Sequence, residues 1–140
     1  MLQQLAPEYI DTGKARLIYR NFPIIGPDSE WAAQAAECAG DQDKFWAYAN
    51  YLFVHQDGEN SGALSPDNLK KFAVQLGLNS STFNTCLDSS KYAAEVNQQK
   101  AEGEQRGVQA TPTFFINGQR YEGVLSAQQL AELINAGQPK

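Results

Sequence analysis

Two cysteines, Cys38 and Cys86, are the residues of this 140-residue chain with the clearest capacity for covalent chemistry. A thiolate can attack a disulfide or bind a metal, two thiols can form a disulfide, and a buried thiol behaves as a small apolar side chain. Both lie on apolar helical faces among alanine and leucine, a pattern typical of unreactive core thiols. Neither has the neighbouring cysteine of a Cys-x-x-Cys motif. A reactive pair, a structural disulfide and two inert thiols therefore all remain open interpretations.

His55 is the single histidine, and we predict it at the end of a helix. Together with the two cysteines it would still need a carboxylate to complete a tetrahedral zinc site, so a surface position near the helix C-terminus is the better interpretation. The oxygen-rich run at 57–60, Asp-Gly-Glu-Asn, does not have the spacing of an EF-hand loop. We therefore expect no metal and no cofactor.

Residues 107–118, Gly-Val-Gln-Ala-Thr-Pro-Thr-Phe-Phe-Ile-Asn-Gly, are the second place where residue types indicate function. Thr111 and Pro112 are separated by one residue, Thr113, from a short run, 114–116, that has the composition of a buried strand. The pair Asn117-Gly118 favours a two-residue type I′ turn, because both residues adopt positive φ readily. The segment predicts a proline loop that leads into a β-hairpin.

Composition narrows the class of protein. The chain is 42% hydrophobic, with seven Phe, six Tyr and two Trp, which is enough to bury one ordinary core. Its net charge of -5 and its lack of any Lys/Arg cluster argue against nucleic acid or an anionic membrane as a partner. No apolar run approaches the length of a membrane span. Residues 1–5 lack the basic and apolar segments of a signal peptide, so we expect no export of the sequence as written.

Hydrophobic periodicity and punctuation residues predict the order helix, strand, about five helices, two hairpin strands and a helix. The first helix carries Leu2, Leu5, Tyr9 and Ile10, with Pro7 either in its first turn or at a kink. Residues 15–22 read as a strand. The later helices are expected after Asp28 or Ser29 up to Gly40, around residues 45–53, from Ser65-Pro66 to Gly77, from Asn79 or Ser80, from Ser90 to just before Gly107, and from Ser126 to Gly137.

This order and several local motifs resemble the DsbA-like family of thiol-disulfide oxidoreductases. The similar stretches are 8–14 (Glu-Tyr-Ile-Asp-Thr-Gly-Lys), 19–23, 35–39, 44–46, 52–53, 83–87 and 110–118 (Ala-Thr-Pro-Thr-Phe-Phe-Ile-Asn-Gly). They cover nearly the whole chain in the family's order. The resemblance implies an α/β thioredoxin-like fold of DsbA type, with an all-helical insertion at 27–106 between a thioredoxin part formed by 1–26 and 107–140. All of these would belong to one domain.

The resemblance also implies a function, which is disulfide exchange on polypeptides as an oxidoreductase or isomerase. Pro112 in cis would hold Thr111 beside the active-site sulfurs, and the Thr111 backbone would pair with an extended or unfolded substrate. Some relatives carry a second disulfide in the helical insertion, which favours a structural disulfide between Cys38 and Cys86. The family is typically periplasmic or extracytoplasmic, while the location of this chain is unknown.

The chain departs from the family at its N-terminus, because the family's first strand and its Cys-x-x-Cys would both lie upstream of Met1. We expect a truncated gene, a wrongly assigned start or a domain cut from a longer protein, with no redox activity of its own. Whether the chain is an enzyme stays open, and a non-catalytic peptide-binding or dimeric interaction module is the alternative. The missing strand would lie between residues 15–22 and 113–116, so we expect these edges to pair directly or a homodimer to close the gap.

Overall fold

The computed structural model describes residues 5–137, which divide into two compact units. Unit 1 comprises Met1–Arg20 and Glu104–Lys140, as far as these are described, and unit 2 comprises Asn21–Gly103. The predicted division into a thioredoxin part and a helical insertion remains a prediction about domain organisation.

Unit 1 contains a short helix, a hairpin and a longer helix. The short helix, α1 (Ala6–Ile10), has π-type hydrogen bonding, since Asp11 N donates to Ala6 O at 2.9 Å. Pro7 lies in its first turn, which was one of the two predicted positions for this proline. The predicted position of Leu2 lies outside the described residues. Helix α7 (Ala127–Ala136) packs Leu130 with Leu5 and Tyr9 to form the centre of this unit's core.

The hairpin joins β1 (Thr113–Ile116) to β2 (Gln119–Glu122) in antiparallel register, with Ile116 opposite Gln119. Asn117 and Gly118 have φ of 50° and 84°, which confirms the predicted two-residue turn. Ser126 caps α7 through a reciprocal pair of hydrogen bonds with Gln129, so the predicted cap is also confirmed.

Unit 2 is helical within its described residues. Its helices are α2 (Pro27–Gly40), α3 (Phe45–His55), α4 (Pro66–Gln75), α5 (Ser80–Asp88) and α6 (Ala93–Gln105), the last of which runs on into unit 1. Alanine side chains on α2 let that helix approach α3 and α5 closely, around a core that contains the fully buried Tyr48, Leu69 and Phe83.

The helix starts show which local predictions hold. Asn79 caps α5 by accepting a hydrogen bond from Thr82 N at 2.9 Å, and Ser65 precedes α4 with Pro66 in the first turn, both as predicted. The predicted cap at Asp28 or Ser29 is wrong, because α2 already begins at Pro27, whose fixed φ suits the first helical position.

Two further expectations are corrected. Ser90 does not begin a helix, because its φ of 54° lies in the left-handed region, and α6 starts at Ala93 instead. Residues 15–22 form no strand, and the sheet among the described residues contains β1 and β2 alone, so the expected direct pairing of 15–22 with 113–116 is wrong as well. A strand needs a neighbouring strand to which its backbone hydrogen-bonds, and no strand among the described residues pairs with residues 15–22.

Candidate functional site

The loop between α6 and β1, residues 107–112, carries the predicted substrate-binding residues. Gln109, Ala110, Thr111 and Pro112 are all exposed, and the Thr111–Pro112 peptide bond is cis. Gly107 begins the loop with φ of 78°, a conformation that favours glycine. The exposure of the loop leaves Thr111 accessible to a polypeptide from outside this chain.

Two hydrogen bonds fix the end of the loop against the hairpin. The Thr113 hydroxyl donates to Ala110 O at 2.7 Å, and Gly123 N donates to Pro112 O at 2.9 Å, which extends the hairpin ladder by one position. Within residues 5–137, the Thr111 N–H and C=O take part in no hydrogen bond. The loop therefore presents a free backbone donor and acceptor on a segment that its neighbours hold in place.

The strand edge that follows Thr111 has the same character. In a hairpin with a two-residue turn, Ile116 bonds to Gln119 and Phe114 bonds to Tyr121, so the backbone groups of Thr113 and Phe115 point away from β2. No strand in the described part of the chain pairs with that outer edge of β1. An extended polypeptide could pair there by strand addition.

Cys38 and Cys86 are joined by a disulfide between α2 and α5. Their exposed fractions are 1% and 6%, so both sulfurs belong to the helical core. This bond consumes both cysteines of the sequence. The disulfide lies in unit 2 and the Thr111–Pro112 loop in unit 1, so the sequence-predicted site residues fall into two separate groups.

A charged cluster beside the disulfide was not predicted from the sequence. Asp41 Oδ2 lies 3.9 Å from Cys86 Sγ and 2.7 Å from Lys91 Nζ, and the Tyr92 hydroxyl donates to Asp41 Oδ1 at 2.5 Å. The hydrogen bonds from Lys91 and Tyr92 lower the pKa of Asp41, and that from Lys91 is the stronger cause. The pKa of Tyr92 is raised, chiefly because its hydroxyl donates to the Asp41 carboxylate.

His55 lies at the C-terminus of α3, as predicted. Its Nδ1 is 2.9 Å from Tyr51 O, and its ring stacks on Tyr51 with 3.7 Å between ring centroids. No group of three His, Cys, Asp or Glu side chains converges as a metal site in the described part of the chain. We assign His55 to the packing of α3.

A proline loop, a following hairpin and a C-terminal helix, combined with a set of inserted helices, are the features of a thioredoxin-like domain. A model of the Thioredoxin_4 family, described as thioredoxin, matches residues 1–136. The chain belongs to this family.

Solved structures support the same assignment of fold. The chain is similar to oxidised BdbD from Bacillus subtilis, with a TM-score of 0.85 and 23% identity over 98% of this chain and 76% of that one. It is also similar to a thioredoxin-like oxidoreductase from Silicibacter pomeroyi, with a TM-score of 0.71 and 24% identity over 86% of this chain and 66% of that one. The predicted thioredoxin-like fold of DsbA type is confirmed.

Curated relatives show that such a domain also occurs within longer proteins. The chain is 31% identical over 127 residues to a protein named Na(+)/H(+) antiporter NhaA 3 from Salinispora tropica, covering 89% of this chain and 19% of that protein. It is 32% identical over 121 residues to Na(+)/H(+) antiporter NhaA from Herminiimonas arsenicoxydans, covering 86% and 18%. This chain thus spans less than a fifth of these relatives. None of the helices within residues 5–137 is both long and apolar enough to span a bilayer.

Proposed function

We propose that this domain works in thiol-disulfide exchange on polypeptides, as part of a DsbA-type oxidoreductase or isomerase, and that it supplies the surface that holds the substrate chain. The observation that carries the proposal is the exposed Thr111 backbone, which has no hydrogen-bond partner within the described residues and continues into the free edge of β1. Membership of the thioredoxin family supports it.

The exchange reaction explains why such a surface is needed. A thiolate attacks one sulfur of a substrate disulfide in line with the bond, a mixed disulfide forms, and the other sulfur leaves as a thiolate. The substrate cysteine must therefore be held in a fixed direction relative to the attacking sulfur. Backbone pairing at Thr111 orients the substrate without reading its side chains, which suits an activity on many different polypeptides.

The attacking thiolate is not supplied by the cysteines of residues 1–140. The sequence contains no Cys-x-x-Cys, and Cys38 and Cys86 are joined to each other in the core. We propose that residues 1–140 bind substrate and do not catalyse exchange by themselves. The same two facts favour the second candidate, a non-catalytic module that binds peptides or a second copy of itself.

We propose that the substrates are extracytoplasmic polypeptides, as is typical of DsbA-like proteins. We do not propose the antiport activity of these relatives for this chain, because the chain matches only 18–19% of their lengths.

A redox assay separates the two candidates. Insulin reduction and dithiol oxidation are measured for residues 1–140 beside the longest in-frame product of the gene. Exchange by the longer product alone supports the oxidoreductase. Redox activity of residues 1–140 would overturn the assignment of Cys38 and Cys86 to a structural disulfide. A lack of activity in both forms would favour the binding module.

A binding assay tests the peptide surface itself. The probe is a fluorescein-labelled, uncharged ten-residue peptide with one central S-methylcysteine, followed by anisotropy and by amide NMR shifts of residues 108–115. Thr111→Pro removes the exposed N–H and is expected to weaken binding about tenfold, whereas Thr111→Ala keeps the N–H and should bind within about twofold. Equal loss in both variants, or shifts confined to unit 2, would overturn the proposed surface.

A further inference from the structure

Arg120, on β2, reaches back across the hairpin to Gly107, at the start of the loop formed by residues 107–112. Its Nη1 donates to Gly107 O at 2.6 Å and makes a longer contact of 3.4 Å to Arg106 O. These two carbonyls follow the last turn of α6, where the chain leaves the helix. Carbonyls at the end of a helix lack partners within it and carry partial negative charge, so a guanidinium is a well-matched donor there.

The Arg106 side chain contacts the hairpin at Phe115. Its guanidinium carbon lies 3.8 Å from the centroid of the Phe115 ring, and Phe115 is the direct cross-strand partner of Arg120. Residues paired this way present their side chains on the same face of the hairpin. Arg106, Phe115, Arg120 and Gly107 thus form a closed ring of contacts, which we name the loop clasp.

Gly107 is required by the clasp for two reasons. Its φ of 78° disfavours any other residue, and a Cβ added there would lie 2.4 Å from Arg120 Nη1. The contact atom is the far end of a flexible side chain, so an alanine would displace the guanidinium before it displaced the backbone. Glu122 orients that guanidinium from the other side, with Arg120 Nε 3.3 Å from its Oε1.

We infer that Arg120 is a positioning residue, which sets where Thr111 is presented by fixing the start of the loop to the hairpin. The inference rests on the proposed function for its consequence, namely peptide binding at Thr111. The end of the loop is fixed by Thr113 and by Gly123 N. At its start, Gly107 N donates to Glu104 O at 2.9 Å, which holds the loop to α6, while Arg120 provides the hydrogen bond that holds it to the hairpin. Without Arg120 the start of the loop keeps its hydrogen bond to α6 but loses its hydrogen bond to the hairpin.

A guanidinium is needed here rather than a positive charge alone. The Nη1 of the planar guanidinium donates to Gly107 O while its Nε faces Glu122 Oε1. A lysine ammonium has no such planar arrangement of donors and cannot bind both groups with the same fixed geometry. Arg120→Lys therefore distinguishes geometry from charge. Arg16, which is exposed and has no hydrogen bond or ion pair within residues 5–137, is the matched control.

The experiment measures loop motion and peptide binding separately in the wild type, Arg120→Ala, Arg120→Lys and Arg16→Ala. Amide NMR relaxation of residues 107–113 is recorded without peptide, and the S-methylcysteine peptide described above is then titrated. We expect Arg120→Ala to mobilise these amides and to weaken binding about fivefold to tenfold, Arg120→Lys to weaken it about threefold, and Arg16→Ala to change it less than twofold.

The two readouts keep this inference apart from the proposed function. If the wild type does not bind the peptide, the proposed function fails, and the relaxation of residues 107–113 still decides whether Arg120 orders the loop. Unchanged loop relaxation in Arg120→Ala, or full rescue of order and affinity by Arg120→Lys, would overturn the inference. Gly107→Ala should reproduce the effect of Arg120→Ala, and the double variant should be no worse than either single one.

Discussion

Lys91 Nζ lies 2.7 Å from Asp41 Oδ2, which ties the end of α2 to the turn that follows α5. The Cys38–Cys86 disulfide joins the same two helices a few residues away. The Tyr92 hydroxyl binds the second oxygen of Asp41, so one carboxylate receives two side-chain donors. A covalent link and an ionic one thus hold the same helix pair.

The stability of the protein should depend on pH through Asp41. Its pKa is lowered from 3.8 by the hydrogen bond from Lys91 and then by that from Tyr92, so the folded state binds its proton more weakly than the unfolded state. This stabilisation is present above the ordinary pKa of aspartate and is lost as pH falls through the lowered folded value. Urea unfolding between pH 2 and 7 should show a smaller acid-dependent loss in Asp41→Asn. Asp57→Asn, in an exposed loop, should retain the wild-type profile, and identical profiles for both variants would contradict the prediction.

At alkaline pH, the stabilisation by the Asp41–Lys91 pair changes with pH in the opposite direction. The hydrogen bond to Asp41 raises the pKa of Lys91, so its stabilisation is present below the ordinary lysine pKa and is lost as pH rises through the folded value. Lys91→Met should flatten that alkaline loss in the same unfolding series. Lys44→Met, at the start of α3, serves as the comparison, and an equal effect of both changes would remove the assignment to Lys91.

Removal of the disulfide should cost more than removal of the ion pair. The bond closes a separation of 48 residues in the core of unit 2. The chain-entropy model places the loss for a loop of this length at about 4 kcal/mol as an upper value. We expect Cys38→Ala/Cys86→Ala to lower the free energy of unfolding by about 2–4 kcal/mol, measured in urea. The reduced wild type is the control, and an unchanged unfolding midpoint in both would show that the bond does not stabilise the fold.

The features predicted correctly from the sequence are those that a few neighbouring residues determine. Asn117-Gly118 forms its turn because both residues tolerate positive φ, and Asn79 caps α5 because its side chain reaches the amide three residues on. The failed prediction of a strand at 15–22 had the right residue types, but a strand also needs a neighbour, which local composition does not reveal.

The candidate site divides in the same way. Thr111 and Pro112 were found from a local motif that resembles a known family. Arg120 was not, because its contact with Gly107 joins residues 13 apart through the register of the hairpin. The Asp41–Lys91 pair spans 50 residues and depends on how α2 and α5 pack. Hydrophobic periodicity places such residues on helices and strands, but it does not show which of them are in contact.

Tyr48 should contribute a hydrogen bond inside the core of unit 2. Its side chain is fully buried, its hydroxyl donates to Leu69 O at 2.7 Å, and burial raises its pKa above the ordinary tyrosine value. Tyr48→Phe removes the donor while keeping the ring, so we expect a loss of about 1 kcal/mol in the free energy of unfolding. Tyr51→Phe is the matched change, because that hydroxyl binds Gln75 on the exposed side of the helices. Equal losses from the two variants would mean that burial of the Tyr48 hydroxyl adds nothing.

Asn21 should be the most sensitive polar residue of unit 2. It is only 4% exposed, its N–H donates to Gln99 Oε1 at 2.7 Å, and its side-chain amide donates to Glu37 Oε1 at 2.6 Å. Asn21→Ala removes two side-chain hydrogen bonds, to Glu37 Oε1 and to Gln99 Oε1, and is expected to cost about 1–3 kcal/mol, because a hydrogen bond to a charged group such as the Glu37 carboxylate is stronger than one between neutral groups. Asn21→Asp should be worse above pH 5, since it places a carboxylate beside that of Glu37, and acid should relieve part of the difference. Urea unfolding at pH 4 and pH 7 measures both effects, with the exposed Asn97→Ala as control. If Asn21→Asp were as stable as Asn21→Ala at pH 7, the hydrogen bond to Glu37 would not be an anchor of this unit.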